Sequence, residues 1–345
     1  MKSLNTAPFR ITFCALSLML LGTGSATAST NALGLDPSLN LLVFEDFAPT
    51  SSDVEGRVAV GGNANIIGGY SINDHKLAGT ALTVRGNLSF SSGTITDDTS
   101  VGGNLVSNYS GSFNGNVAVG GNFDAAAGIS SGSSNTVTVW GNTTGYQNWY
   151  QPQLLKGSGT FSQGVDFDAL RTSLTSLSTR LDGLAAASAV DSWSTLMFNA
   201  SNANGINVFD ITSAQALQNM QINGLGANGT VIINVLGSTV NFGNHGFTNF
   251  NNRVLFNLPE ATTLQLGWVA ASILAPLASV GSGGSGVVLG QVVVNNWASG
   301  VQINDVPFVG HVPLAPIPEP ETYAMLLAGL GLMGAVVKRR KAKLA

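Results

Sequence analysis

A short apolar stretch ending in Gly-Asn returns five times in this chain, and that repeat constrains the fold more than any other feature. The copies are Val58-Ala59-Val60-Gly61-Gly62-Asn63, Leu82-Thr83-Val84-Arg85-Gly86-Asn87, Val101-Gly102-Gly103-Asn104, Val117-Ala118-Val119-Gly120-Gly121-Asn122 and Val137-Thr138-Val139-Trp140-Gly141-Asn142. Their closing residues, Asn63, Asn87, Asn104, Asn122 and Asn142, follow one another at nearly even steps. A period of roughly 20 residues, with one β-rich segment and one corner each, suits solenoid coils. No coil buries its apolar side alone, and stacking completes the core. Gly is expected to supply positive φ at the corners and Asn to tolerate it. Asparagines at equivalent corners are placed to form an amide ladder along the stack. A sandwich of independent hairpins is the competing architecture, but its turns would come at shorter spacing.

From Asp166 the period changes. Phe167, Leu170, Leu174, Leu177, Leu181 and Leu184 fall on one helical face. Asp166 can cap this helix of about residues 166–186, and Asp168 suits its N-terminal dipole. The helix is expected to lie along the sheet and cover its apolar face, a coiled-coil partner being the alternative for so short a repeat. Strands resume after it in Ile206–Ile211, Val231–Val235, Arg253–Leu258, Gly267–Leu274 and Gly286–Val294. Their long β-branched runs read as buried on both sides, as parallel strands under a helix would be. The fold class is therefore mostly β: a parallel β-helix or solenoid with one long amphipathic helix alongside and short hydrophobic helices at both termini.

Only 9% of the residues are charged, against about 25% in ordinary domains, while 44% are apolar. The surface must be satisfied by hydroxyls, amides and backbone, which suits many short strands and tight turns. Basic residues gather at the ends. Between Ser29 and Ile317 there are 7 of them against 16 acids, a balance of 7 − 16 = −9. An acidic body argues against nucleic acid and against anionic lipid as partners. The single cysteine, Cys14, lies in the leader, so the mature chain has no thiol or disulfide.

The leader carries Lys2 and Arg10, then an apolar run Ile11–Leu21, then Ala26-Thr27-Ala28, a small-x-small site for signal peptidase with cleavage after Ala28. At the other end stand Pro316-Ile317-Pro318-Glu319-Pro320-Glu321, an apolar run Tyr323–Val337, and the basic cluster Lys338-Arg339-Arg340-Lys341. As a helix that run measures about 22 Å, short of a full span, and the basic cluster would stay on the cytoplasmic side and stall export. A Pro-Glu-Pro motif, a short apolar helix and a basic end resemble the PEP-CTERM sorting signal. The resemblance implies transient insertion in the inner membrane of a Gram-negative bacterium, cutting by an exosortase near Pro318, Glu319 and Pro320, and transfer to the cell surface or extracellular matrix. An ordinary C-terminal tail anchor is the alternative.

The body also carries Phe44-Glu45-Asp46-Phe47, Ser52-Asp53-Val54-Glu55-Gly56 leading into the first repeat, Asn257-Leu258-Pro259, Thr262-Thr263-Leu264, Ser272-Ile273-Leu274-Ala275-Pro276, Gly290-Gln291-Val292-Val293, Gln302-Ile303-Asn304 and Phe308-Val309-Gly310. In this order, from about Leu33 to Gly310, they resemble the choice-of-anchor A family, a bacterial surface adhesin domain related to collagen-binding modules. Leu277 departs from that pattern. The resemblance implies a surface β-helix joined to a variable anchor. The expected domains are a signal peptide at 1–28, the solenoid at 29–315 and a sorting and transmembrane segment at 316–345.

Catalytic chemistry has little support. His75, His245 and His311 sit in no zinc-binding motif, and no nucleophile elbow or P-loop is present. No catalytic residue, metal ligand or cofactor is assigned. Calcium at Asp97-Asp98 or at Asp53 and Glu55 is the alternative to a structural turn or surface role for these acids. Trp140, Tyr146, Trp149 and Tyr150 form an aromatic cluster that either stacks on sugar rings or caps the solenoid. The leading expectation is a non-enzymatic adhesive or structural surface protein, with exopolysaccharide or another matrix component as possible partner. A polysaccharide- or ice-binding face, using Thr94-Ile95-Thr96 and Thr136-Val137-Thr138, is the second, and a β-helical lyase or hydrolase the third.

Overall fold

The computed structural model describes residues 30–147, 152–247 and 249–313. The leader, with Ala26 and Ala28, and the sorting tail, with both expected terminal helices, lie outside the described residues, as do Trp149 and Tyr150. The body is a three-sided prism of short parallel strands. One coil runs from Leu82–Val84 on the first face, round Gly86-Asn87 to Leu88–Phe90 on the second, then to Gly93–Ile95 on the third, and round Asp97-Asp98 to the next rung, Thr99–Val101. Alternate side chains point inward, so that aromatic rings stack through the interior, as in Phe90 against Phe113 at 4.8 Å and Phe47 against Tyr70 at 5.6 Å.

The coils do not stack in chain order. Leu39–Val43, the first strand, stands in the middle of the first face, with Arg57–Val60 on one side and Val292–Trp297 on the other. The chain starts at this seam and winds outward to Gln153–Lys156. It then crosses to the opposite end and winds back inward through Ile206–Thr212, Thr230–Leu236, Val254–Asn257 and Ser272–Val280. On the third face the seam pairs Val54 with Ile303, and on the second Phe47 bridges Ala64 and Trp297.

The single α-helix among the described residues, Phe167–Asp182, makes the crossing. Asp166 caps it, accepting from the Ala169 amide at 2.9 Å. At about 24 Å it lies along the stack and ties successive rungs. Asp168 pairs with Arg85 at 2.8 Å, Arg171 binds Glu45 and Asn295 on opposite sides of the seam, and Ser178 and Leu181 reach Asn257 and Asn234. Its buried face of Phe167, Leu174, Leu177 and Leu181 covers Leu42, Ala59, Ile232, Leu255, Leu274 and Val293, the outward residues of the strands beneath. Those strands are thus buried on both sides, as their β-branched runs implied. Two expected strands are divided differently: residues 267–271 form a bend before Ser272–Val280, and Val287–Leu289 and Val292–Trp297 are separated by a corner at Gly290.

Candidate ligand-binding surface

The Gly-Asn repeat builds one corner of the prism. Asp46 Oδ1 accepts from the Asn63 amide at 2.9 Å, Asn63 Oδ1 from Asn87 at 3.0 Å, Asn87 from Asn104, Asn104 from Asn122 and Asn122 from Asn142, each of the last three at 2.8 Å. The ladder foreseen from the sequence is present, and it crosses the seam, because Asn296 Oδ1 accepts from the Asp46 amide. The reason for glycine is corrected. Positive φ is absent at Gly86, Gly103, Gly121 and Gly141; what excludes a side chain is the rung below. A Cβ on Gly121 would lie 2.6 Å from both the Gly103 carbonyl and Asn104 Oδ1. Stacked corners approach too closely for any Cβ.

The helix covers much of the first face. The third carries half-exposed side chains on its outer side. Its outward row follows from the strand register: Val287, Gln302, Asp53, Ser71, Thr94, Ser112 and Ser130. Seven rungs at ~4.8 Å make a track about 29 Å long, and four consecutive rungs carry hydroxyls. Thr94 faces outward among these hydroxyls, but Thr96, expected to share its face, falls outside the strand Gly93–Ile95. Thr136 is drawn instead into a second ladder, its amide donating to Asn116 Oδ1, whose own amide donates to Asp98 Oδ1. Thr138 faces outward on the first face.

The track is acidic near the seam. Burial, then the charges of Asp74 and Glu55, push the Asp53 carboxyl above the ordinary carboxylate value, and burial with Glu55 does the same for Asp74. Burial also raises Asp305, against the hydrogen bond and charge of His75. His75 bridges Glu55 at 3.5 Å and Asp305 at 3.6 Å across the seam, and Glu55 Oε2 accepts from the Asp305 amide. Asp98 is a ladder rung, and Asp97, at φ 93°, accepts from the Asp98 amide. Among the described residues no group of three or more His, Cys, Asp or Glu side chains is arranged to hold a metal ion.

The described aromatics of the expected ligand cluster pack differently near the outer end of the solenoid. Trp140 packs edge-on against Phe161 at 5.1 Å, its Nε1 donating to the Ser158 carbonyl. Tyr146 lies against the interior beside Phe123, its hydroxyl donating to the Pro152 carbonyl. A cleft lies beside the helix N-terminus over Ala59, Thr83 and Leu170. Its acids are engaged within the fold: Asp36 with Arg57 and Ser38, and Asp166 with the helix cap. His245 is fully buried, its Nε2 at 2.8 Å from the Ala216 carbonyl, and burial lowers its pKa.

One residue escaped the sequence reading. Trp193 is 99% exposed at the tip of a hairpin between Val190–Ser192 and Thr195–Asn199. Neither Gly nor Asn marks its turn, so the usual hairpin signal is missing. Only the isolation of one Trp between two serines could have drawn notice.

A family model described as "Putative Ice-binding-like adhesive domain" matches residues 38–305, nearly the whole prism and both sides of the seam. A model of the PEP-CTERM protein-sorting motif matches residues 316–341, which include Pro318, Glu319, Pro320 and the basic cluster Lys338, Arg339, Arg340 and Lys341. No curated protein and no solved structure matches the chain.

Proposed function

Because the chain belongs to the family of ice-binding-like adhesive domains, we propose that it is a non-enzymatic adhesive protein that holds a hydroxyl-rich extracellular polymer along its third face. The sorting motif implies export and surface sorting in a Gram-negative bacterium, with processing by an exosortase. In this reading signal peptidase removes the leader after Ala28, the tail pauses in the inner membrane on Lys338–Lys341, and cutting near Pro318 sends the body to the surface or matrix. The joining of one body to an interchangeable anchor is what the choice-of-anchor A likeness implied.

The observation that carries the adhesive reading is the open track from Gln302 to Ser130. Small polar side chains in strand register give a flat surface whose hydroxyl and carboxylate groups recur every ~4.8 Å. An extended polysaccharide can meet such a surface through many weak, repeated hydrogen bonds. The acidic middle favours a neutral or amino-bearing polymer over an anionic one. Ice is the other ligand with a repeating hydroxyl lattice, but only one of the four hydroxyl rungs is threonine, and Asp53 and Gln302 end the row at the seam.

The test is the intact mass and cell fraction of the protein in its host, with and without the exosortase, followed by sedimentation of the secreted protein with the host's purified exopolysaccharide. A mass ending near Pro318, release that depends on the enzyme and co-sedimentation with the polymer are expected. A full-length tail in the inner membrane of both strains would remove the sorting half of the proposal. Failure to co-sediment would remove the adhesive half.

A further inference from the structure

The hairpin carrying Trp193 departs from the rest of the molecule in three ways. It is antiparallel, whereas the other strand pairs among the described residues are parallel. Its central residues Trp193 and Ser194 both take positive φ, 52° and 62°, where a bulky side chain is an outlier and Asn-Gly is usual. And it holds the largest kind of side chain wholly in water. Neither local backbone preference nor core packing accounts for a tryptophan here.

The surroundings narrow what it meets. The register of Thr195 with Asn219 sets the turn beside the start of the neighbouring strand. There Gln218 Nε2 donates to Asp191 Oδ2 at 3.2 Å, while Gln218 Oε1 is buried without a partner. Serines flank the indole on both sides. No Lys or Arg occurs between Arg180 and Arg253, whereas Asp182, Asp191 and Asp210 do, so an anionic membrane is disfavoured. A tryptophan buries at most about 250 Å², far below the roughly 800 Å² per partner of a stable protein interface. An exposed aromatic plane close in the chain to a carboxylate, Asp191, and to serine hydroxyls on both sides matches a single sugar ring. The indole covers the apolar C–H face of a pyranose, and the polar groups take its hydroxyls.

We infer that Trp193 with Asp191, whose carboxylate Gln218 holds, forms a sugar-ring site at the end of the solenoid, specific for β-linked neutral or amino sugars whose equatorial substitution leaves a flat C–H face. This rests on the adhesive reading and adds a second contact to it: the track holds the length of a polymer, and the finger holds one ring.

The experiment is a titration of the full secreted protein, its Trp193→Ala and its Trp193→Phe variants with cellohexaose and with chitohexaose, read by tryptophan emission and calorimetry. The host exopolysaccharide serves as a separate arm. At so exposed a position the variants keep the fold. The parent should show a blue shift and binding, Trp193→Ala no shift and affinity about three- to tenfold weaker, and Trp193→Phe most of the affinity. If the parent binds the host polymer but Trp193→Ala binds every probe equally well, the finger is not a sugar site and the adhesive reading stands. If the parent binds no polymer, the reading beneath it falls. A shift on phosphatidylcholine vesicles, or a dimer that Trp193→Ala dissolves, would replace the sugar with a lipid or a second copy.

Discussion

Replacing Asn257 with Ala should loosen the helix from the sheet. Asn257 is fully buried and sits at the end of a ladder in which Asp210 Oδ1 accepts from Asn234 Nδ2 and Asn234 Oδ1 accepts from Asn257 Nδ2 at 2.9 Å. The same amide donates to the Ser178 carbonyl at 2.9 Å, and Asn257 Oδ1 accepts from the Ser178 hydroxyl at 2.6 Å. Alanine would leave the Ser178 hydroxyl and Asn234 Oδ1 buried without partners. At about 1–3 kcal/mol each the loss is about 2–6 kcal/mol, a large share of the roughly 5–15 kcal/mol typical of a domain. The thermal midpoint should fall by roughly 5–15 °C, with hydrogen exchange accelerating first in Phe167–Asp182. Combining Asn257→Leu with Ser178→Ala removes two orphans, the Ser178 hydroxyl left by the first and Asn257 Oδ1 left by the second, so the pair should cost about 2–6 kcal/mol less than the sum of the singles. A midpoint within the scatter of an exposed control such as Asn65→Ala, or a strictly additive cycle, would refute the idea that this ladder holds the helix.

Other outcomes follow from the same geometry. Gly121→Val should prevent secretion or leave an insoluble product, since its Cβ meets backbone at 2.6 Å, whereas Gly281→Ala, with nothing within 4 Å of its Cβ, should secrete normally. Leu174→Ala, at a fully buried position of the helix, should cost about 3–5 kcal/mol in denaturant unfolding. For the seam carboxylates the sign runs toward acid. Asp53, Asp74 and Asp305 are raised above 3.8 in the folded state, so the folded form holds protons that the unfolded form has lost, and their contribution falls as pH rises through that window. Asp74→Asn should therefore raise the thermal midpoint near pH 7 and change it little near pH 4; an equal shift at both would contradict the assignment.

Much of the architecture could be read from the chain because its parts obey local rules. The Gly-Asn copies marked both the period and the amide ladder, and Leu174, Leu177 and Leu181 marked the buried side of the helix. The seam could not be read. Parallel rungs of Val, Leu and Ile are interchangeable neighbours, and nothing within Leu39–Val43 distinguishes a first strand from a middle one. Its second partner, Val292–Trp297, comes from the far end of the body and is chosen by the helix that carries the chain across the stack. The role of the repeat glycines is hidden from the sequence because close approach between rungs has no signature within a rung. In the candidate site, Thr94 was legible as an outward hydroxyl. Its alignment with Ser71, Ser112 and Ser130 needed the register, and Trp193 needed a turn that lacks turn residues.

The most direct test of adhesion through the third face is a matched pair of substitutions in the secreted protein, Thr94→Tyr in the centre of the hydroxyl track and Ser89→Tyr at an outward position of the second face. Neither touches the interior, and each breaks the flatness of one face. Binding isotherms on the host exopolysaccharide should weaken at least tenfold, about 1.4 kcal/mol, for Thr94→Tyr and stay at the parental value for Ser89→Tyr. Parental binding by Thr94→Tyr, or equal loss in both, would contradict the assignment of the ligand to that face.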